Sequence, residues 1–261
     1  MNRSLTVSAV PAAALALAAV AGLGVPEARA VNLAISIGVR ETGTTAPIGG
    51  DGGTANSIEW VNRDGVLLPL DGTFHTLTFH FGTDPVAFFF GTQPPNGQPN
   101  RLDGTRGTLE HVRIRNTERL TVPIQLYIDN IRNTPAAGGG PVNVSNFEGF
   151  PLGSEVTFQD PLFSGSTSAN LAPTPNIASV TNAAASEGTQ SDGVQFRFID
   201  NDNTRWLRLT TSAATNLPNP AIDFAPGSTL SFDVRGVPVP EPGGLVALVV
   251  TFGLARVRRT R

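Results

Sequence analysis

Cysteine and lysine are both absent from the 261 residues, and side chains that pair an aromatic ring with a polar tip are scarce, at two Trp and one Tyr. Without cysteine the chain has no disulfide, no thiolate zinc site and no thiol nucleophile, so its stability must come from its core or from bound metal. All 18 basic residues are therefore arginine, in a chain only 15% charged with a formal charge of -3. Both termini are net basic, with Arg3 and Arg29 against Glu27 at one end and Arg256, Arg258, Arg259 and Arg261 at the other. The body between them is thus more acidic than the whole, which argues against a nucleic-acid partner. Helical periodicity is lacking too, since no stretch of the body holds a 3.6-residue apolar repeat for more than about two turns.

Glycine and proline are plentiful, at 28 and 21 residues, and they punctuate short alternating segments. Leu33, Ile35, Ile37 and Val39 alternate with small or polar residues, the period-2 pattern of a half-buried strand. Further strands are expected at Ser57 to Asn62, Phe74 to Phe81, Val86 to Phe90, Leu109 to Arg115 and Pro123 to Ile131. After the Gly/Pro-rich stretch Thr134 to Pro141 come Val144 to Gly149, Val156 to Phe158, Ser179 to Thr181, Val194 to Phe198, Arg205 to Leu209 and Thr229 to Val234. The body reads as all-β.

Two apolar segments bracket this body. Arg3 precedes the run Val10 to Val25, and Ala28-Arg29-Ala30 offers the small residues of a cleavage site, so residues 1–30 read as a signal peptide. At the other end Pro240-Glu241-Pro242 leads into thirteen apolar residues, Gly243 to Ala255, and then a basic cluster from Arg256 to Arg261. Residues 237–261 resemble the PEP-CTERM sorting signal of bacteria. That resemblance implies Pro240, Glu241 and Pro242 as recognition residues for an exosortase-like sorting enzyme, with the export machinery and signal peptidase as earlier partners. The arginines would stay cytoplasmic under the positive-inside rule. A thirteen-residue helix spans about 20 Å against a ~30 Å bilayer core, which suits transient anchoring in the inner membrane. The expected destination is the cell surface or extracellular matrix of a Gram-negative-type bacterium, in association with exopolysaccharide.

Within the body, Phe147-Glu148-Gly149 resembles the opening strand of galactose-binding-like and carbohydrate-binding-module jelly rolls, and Thr229 to Arg235 resembles their central strand. Leu33 to Val39, Gly72 to Phe79 and Leu126 to Ile131 resemble the strands that follow, although here they come first. The order implies a circular permutation. The expected fold is a single jelly-roll β-sandwich over residues 31–236, with a C-terminal-type half at 31–133, a linker at 134–143 and an N-terminal-type half at 144–236. A signal helix and a short membrane helix would flank it. The rival is two small sandwiches, 31–135 and 142–236. One permuted domain would set Tyr127 to Ile131 beside Val144 to Gly149, and Val31 to Val39 beside Thr229 to Val234.

The jelly-roll resemblance also implies a structural calcium, carried by Glu148 on the opening strand and Asp129 on the last, with no other cofactor. Asp200 to Asn203 has the acids of a calcium loop but Arg205 where the turn glycine belongs, and reads as a solvated turn. His75 and His80 fall on opposite strand faces, and so do Glu110 and His111. Glu41, Glu59 and Glu110 lie on separate segments, so no carboxylate pair for glycoside hydrolysis is evident and no catalytic residue is assigned. Trp206 and Arg208 share a strand face opposite Leu207 and Leu209, making them the candidate glycan-binding residues, while Trp60, in phase with Ile58, reads as core. The expectation is a noncatalytic exported protein; the alternatives are a carbohydrate-binding module and a glycoside-active enzyme.

Overall fold

The computed structural model describes residues 31–41, 57–90, 100–102, 104–211 and 220–239. The expected signal peptide and its helix, the apolar segment 243–255 and the residues Pro240, Glu241 and Pro242 lie outside them. Among the described residues no helix is long and apolar enough to cross a membrane.

Twelve strands are present among the described residues: β1 (Asn32–Arg40), β2 (Ile58–Pro69), β3 (Phe74–His80), β4 (Val86–Phe90), β5 (Arg106–Arg115), β6 (Ile124–Thr134), β7 (Val142–Ser145), β8 (Ile177–Thr181), β9 (Ser191–Phe196), β10 (Trp206–Thr210), β11 (Ala221–Asp223) and β12 (Thr229–Pro238). They form two antiparallel sheets. The first runs β10-β5-β1-β2-β4, with β11 continuing along β5 beyond β10; the second runs β3-β12-β6-β9-β8, with β7 continuing along β6 beyond β9. Between the sheets lies one apolar core, in which Phe79, Phe81, Phe147, Phe158, Phe196, Phe198, Phe224 and Phe232 are fully buried. A chain that buries this many phenylalanines needs no covalent staple, at roughly 1.5–3 kcal/mol per large apolar side chain.

Both sheets take strands from either side of the Gly/Pro-rich linker. β10 and β11 join β5, and β12 inserts between β3 and β6. The linker itself turns β6 into β7, with Ile131 opposite Ser145 and Asn133 opposite Val142. Of the first expected pairing only Ile131 with Ser145 is realised, since Tyr127 and Ile128 pair with β9 and Asn146 to Gly149 are not in a strand; the second does not occur. β1 lies between β2 and β5 in the first sheet, while β12 belongs to the second. Alternation tells which face of a strand is buried but not which strand lies beside it.

Other departures are local. Val156 to Phe158 is no strand; Phe158 makes a single bridge to Thr211, and the segment around it spans from β8 to β10. β1 is buried on both faces instead of one, because Ser36 and Gly38 lie opposite Arg113 and His111, whose side chains cover the outer surface of the first sheet.

Candidate functional site

The outer face of the first sheet is built around an irregularity in β5. Gly38 pairs with His111 and Val39 with Leu109, so Glu110 is an extra residue on its strand. A β-bulge of this kind turns two consecutive side chains toward the same side. Glu110 and His111 are therefore not split across the strand, as simple alternation predicts: Glu110 Oε2 lies 2.5 Å from His111 Nδ1. The imidazole lies over bare backbone, because a Cβ on Gly38 would fall 2.0 Å from its Cε1 atom.

His111 is completely buried, and Trp60 Nε1 donates to its Nε2 at 3.0 Å. An indole nitrogen can only donate, so Nε2 is the acceptor and Nδ1 carries the proton given to Glu110. Burial holds the imidazole below its ordinary pKa, aided by the Arg208 and Arg113 charges and opposed by Glu110. Burial likewise pushes Glu110 up, but the His111 hydrogen bond and the charges of Arg208 and Arg40 outweigh it, and the carboxyl titrates at about 2. Its other oxygen, Oε1, accepts from Arg208 Nη2, and from Arg40 Nη2 at 3.4 Å.

Trp206 and Arg208 do share this face, with Leu207 and Leu209 in the core as alternation predicts. Trp206 is half-buried, however, and not a free-standing platform. It meets Trp60 edge-on at 5.6 Å and Phe89 at 5.9 Å, and the Arg113 guanidinium lies 5.1 Å from its ring centre. Trp60 is stacked on Phe89 at 4.5 Å and also faces Arg113 at 4.6 Å. Trp60 is thus buried in phase with Ile58, but on the outer face of the sheet instead of in the core between sheets. The layer is an interlocked stack of rings and guanidinium groups whose polar atoms mostly serve one another. Compared with family models, curated proteins and solved structures, the chain matches none.

The two residues expected to hold calcium lie at opposite ends of one short loop. Asp129 Oδ2 accepts from the Ser186 and Glu187 amides at 2.8 and 3.1 Å, and its Oδ1 from the Asn130 amide at 2.7 Å. Glu148 Oε1 accepts from the Thr189 and Gln190 amides at 2.7 and 2.8 Å, and its Oε2 from the Thr189 hydroxyl at 3.0 Å. Gly188, at φ +67°, lets the loop close around Glu148, where any Cβ would lie 2.3 Å from Oε1. Amide donors lower the Glu148 pKa, whereas burial raises that of Asp129 despite its amide partners. Calcium requires six to eight oxygens. Every carboxylate oxygen of this pair already accepts a hydrogen bond, and no group of three or more His, Cys, Asp or Glu able to hold a metal occurs among the described residues. In this structure the pair fastens a loop. Asp200 is engaged similarly, with both oxygens bound to Arg205.

One carboxyl escaped notice in the sequence. Asp192, on β9, pairs with Ile128 and Val180 on the core side of the second sheet, and neither of its oxygens has a hydrogen-bond partner. Burial, followed by the charges of Asp160 and Glu155, pushes its pKa up to about 8. Asp192 is in phase with Val194 and Phe196, so alternation already sets it on their inward face, and only the tertiary packing reveals that it is left there without a partner.

Proposed function

We propose that the chain is an exported, noncatalytic protein of the bacterial surface or extracellular matrix, sorted through its Pro240-Glu241-Pro242 tail and associated with exopolysaccharide. The noncatalytic part rests on the state of the acidic groups. Glu110 is held by His111, Arg208 and Arg40, His111 Nε2 by Trp60, and Asp129 and Glu148 by loop amides. Groups tied in this way hold strands and loops together, which supports a structural role for them. Two antiparallel sheets that share strands across the linker support one sandwich over both halves, although the β1–β12 adjacency expected of a permuted jelly roll is missing.

The sorting half is tested in a Gram-negative host carrying exosortase-type machinery. The full chain should reach the surface or medium, and a Pro240→Ala/Glu241→Ala/Pro242→Ala variant should stay with the inner membrane. Equal delivery of both would refute the tail's role. A carbohydrate-binding module is the second reading, favoured by the placement of Trp206 and Arg208 on one sheet face.

A further inference from the structure

The outer face of the second sheet carries a groove that none of the expected site residues line. Its volume is about 230 Å³, and its walls include Gln125, Tyr127, Ile177, Ser179 and Gln195 around Gly193. Cross-strand register builds it. Arg235, Tyr127, Gly193 and Ser179 form one row across β12, β6, β9 and β8, and Gln125, Gln195 and Ile177 form a neighbouring row. Gly193, the one residue of the first row without a side chain, lies on the floor of the groove between Tyr127 and Ser179, with the Thr181 methyl packed against it. A Cβ there would meet Thr181 Cγ2 at 2.9 Å. The Arg235 guanidinium lies 5.5 Å from the Tyr127 ring centre on the β12 side, whereas the groove lies on the β9 side.

The hydrogen-bonding groups are arranged for a ligand with many hydroxyls. Gln195 Nε2 donates to Gln125 Oε1 at 2.6 Å, and Gln125 Nε2 donates back to the Leu126 carbonyl at 2.8 Å, so both amides are fixed in orientation. The Gln195 oxygen and second N–H make no hydrogen bond within the protein, and Tyr127 and Ser179 line the same groove. No acidic or basic side chain lines the groove. An aromatic face attracts the electropositive C–H edges of a sugar ring, and the oriented amides and hydroxyls can pair with its hydroxyl groups. Such a mixture of apolar surface and a few fixed polar groups is typical of small-ligand sites, although the volume lies below the ~300–1,000 Å³ of enclosed pockets. It suits one or two sugar units of a chain lying across the surface.

We propose that this groove is a binding site for a neutral polysaccharide, with Tyr127 as the stacking residue and Gln195 as the principal hydrogen-bonding one. The proposal deepens the exopolysaccharide association suggested above but does not depend on the sorting tail. The test is native affinity electrophoresis of the full chain through gels containing galactomannan or hydroxyethylcellulose as neutral probes and alginate as an acidic one. Retardation is expected in a neutral gel, weakened at least tenfold in both Tyr127→Ala and Gln195→Ala. Gln195 is half-exposed, so its truncation leaves the core intact, and a wild-type circular dichroism spectrum would verify this. Three results would overturn the proposal: no retardation by either neutral probe, retardation by alginate alone, or retardation lost in Trp206→Ala but kept in Tyr127→Ala and Gln195→Ala. Misdelivery of the protein without loss of retardation would count against the sorting reading only.

Discussion

Replacing Asp192 by asparagine should change how the stability of the fold depends on pH. In the folded chain this carboxyl has no hydrogen-bond partner and titrates at about 8; in the unfolded chain it titrates near 3.8. Below about pH 4 it is protonated in both states and contributes no pH dependence. Between the two values the unfolded chain has released the proton while the folded chain retains it, so the stability to unfolding falls by ~1.4 kcal/mol for each pH unit. Above pH 8 both states are ionised, and the accumulated loss is of order 5 kcal/mol, a large share of the ~5–15 kcal/mol that holds a domain together. Asparagine preserves the shape but carries no charge at any pH. It brings two amide hydrogens into a place without acceptors, at a cost of about 1–3 kcal/mol. The wild type should thus be the more stable protein at pH 4, where little of this loss has accumulated, and the less stable one at pH 9, with the two curves crossing between. Urea unfolding followed by tryptophan fluorescence at unit steps of pH measures this directly, because titrating groups other than the neighbouring Asp160 and Glu155 cancel in the difference. Parallel curves from pH 5 to 9 would refute the reasoning.

Two further outcomes test the remaining architecture. Gly38→Ala should destabilise the protein by about 1–3 kcal/mol and alter its tryptophan emission, since the added methyl occupies the place of the His111 ring and must break the bond from Trp60; an unchanged spectrum and midpoint would show that the ring is free to move aside. Glu148→Ala should speed amide hydrogen exchange at Thr189 and Gln190 while leaving the central β6 amides protected, and unchanged exchange at those two positions would deny Glu148 its part in fastening the loop.

The all-β character was legible because apolar side chains recur at every second residue, as in β1, β6 and β12. Their lengths were less so, since β2 continues from Asn62, at φ 54°, to Pro69, and glycine and charge in that stretch hide the pattern. Of the candidate site residues, Asp129 and Glu148 each accept from backbone amides of the segment 186–190. Nothing in the spacing of the sequence reveals that this third segment would be their partner. The face shared by Trp206 and Arg208 was readable from period-2 spacing, but the Trp60 and Phe89 rings packed against Trp206 come from strands more than a hundred residues earlier in the chain.

By itself, the sequence determined most of the segments that become strands, that no disulfide can join them, and which side chains share a face wherever the alternation is unbroken, because these follow from local chemistry and a period of two. Only the tertiary structure decided that β12 inserts between β3 and β6, that a single extra residue turns Glu110 toward His111, that Asp192 is left in the core without a partner, and that Gly193 lies on the floor of a groove beside Tyr127. Each of these depends on the register between strands distant in sequence. Register is set by the packing of the whole sandwich, and no single segment carries it.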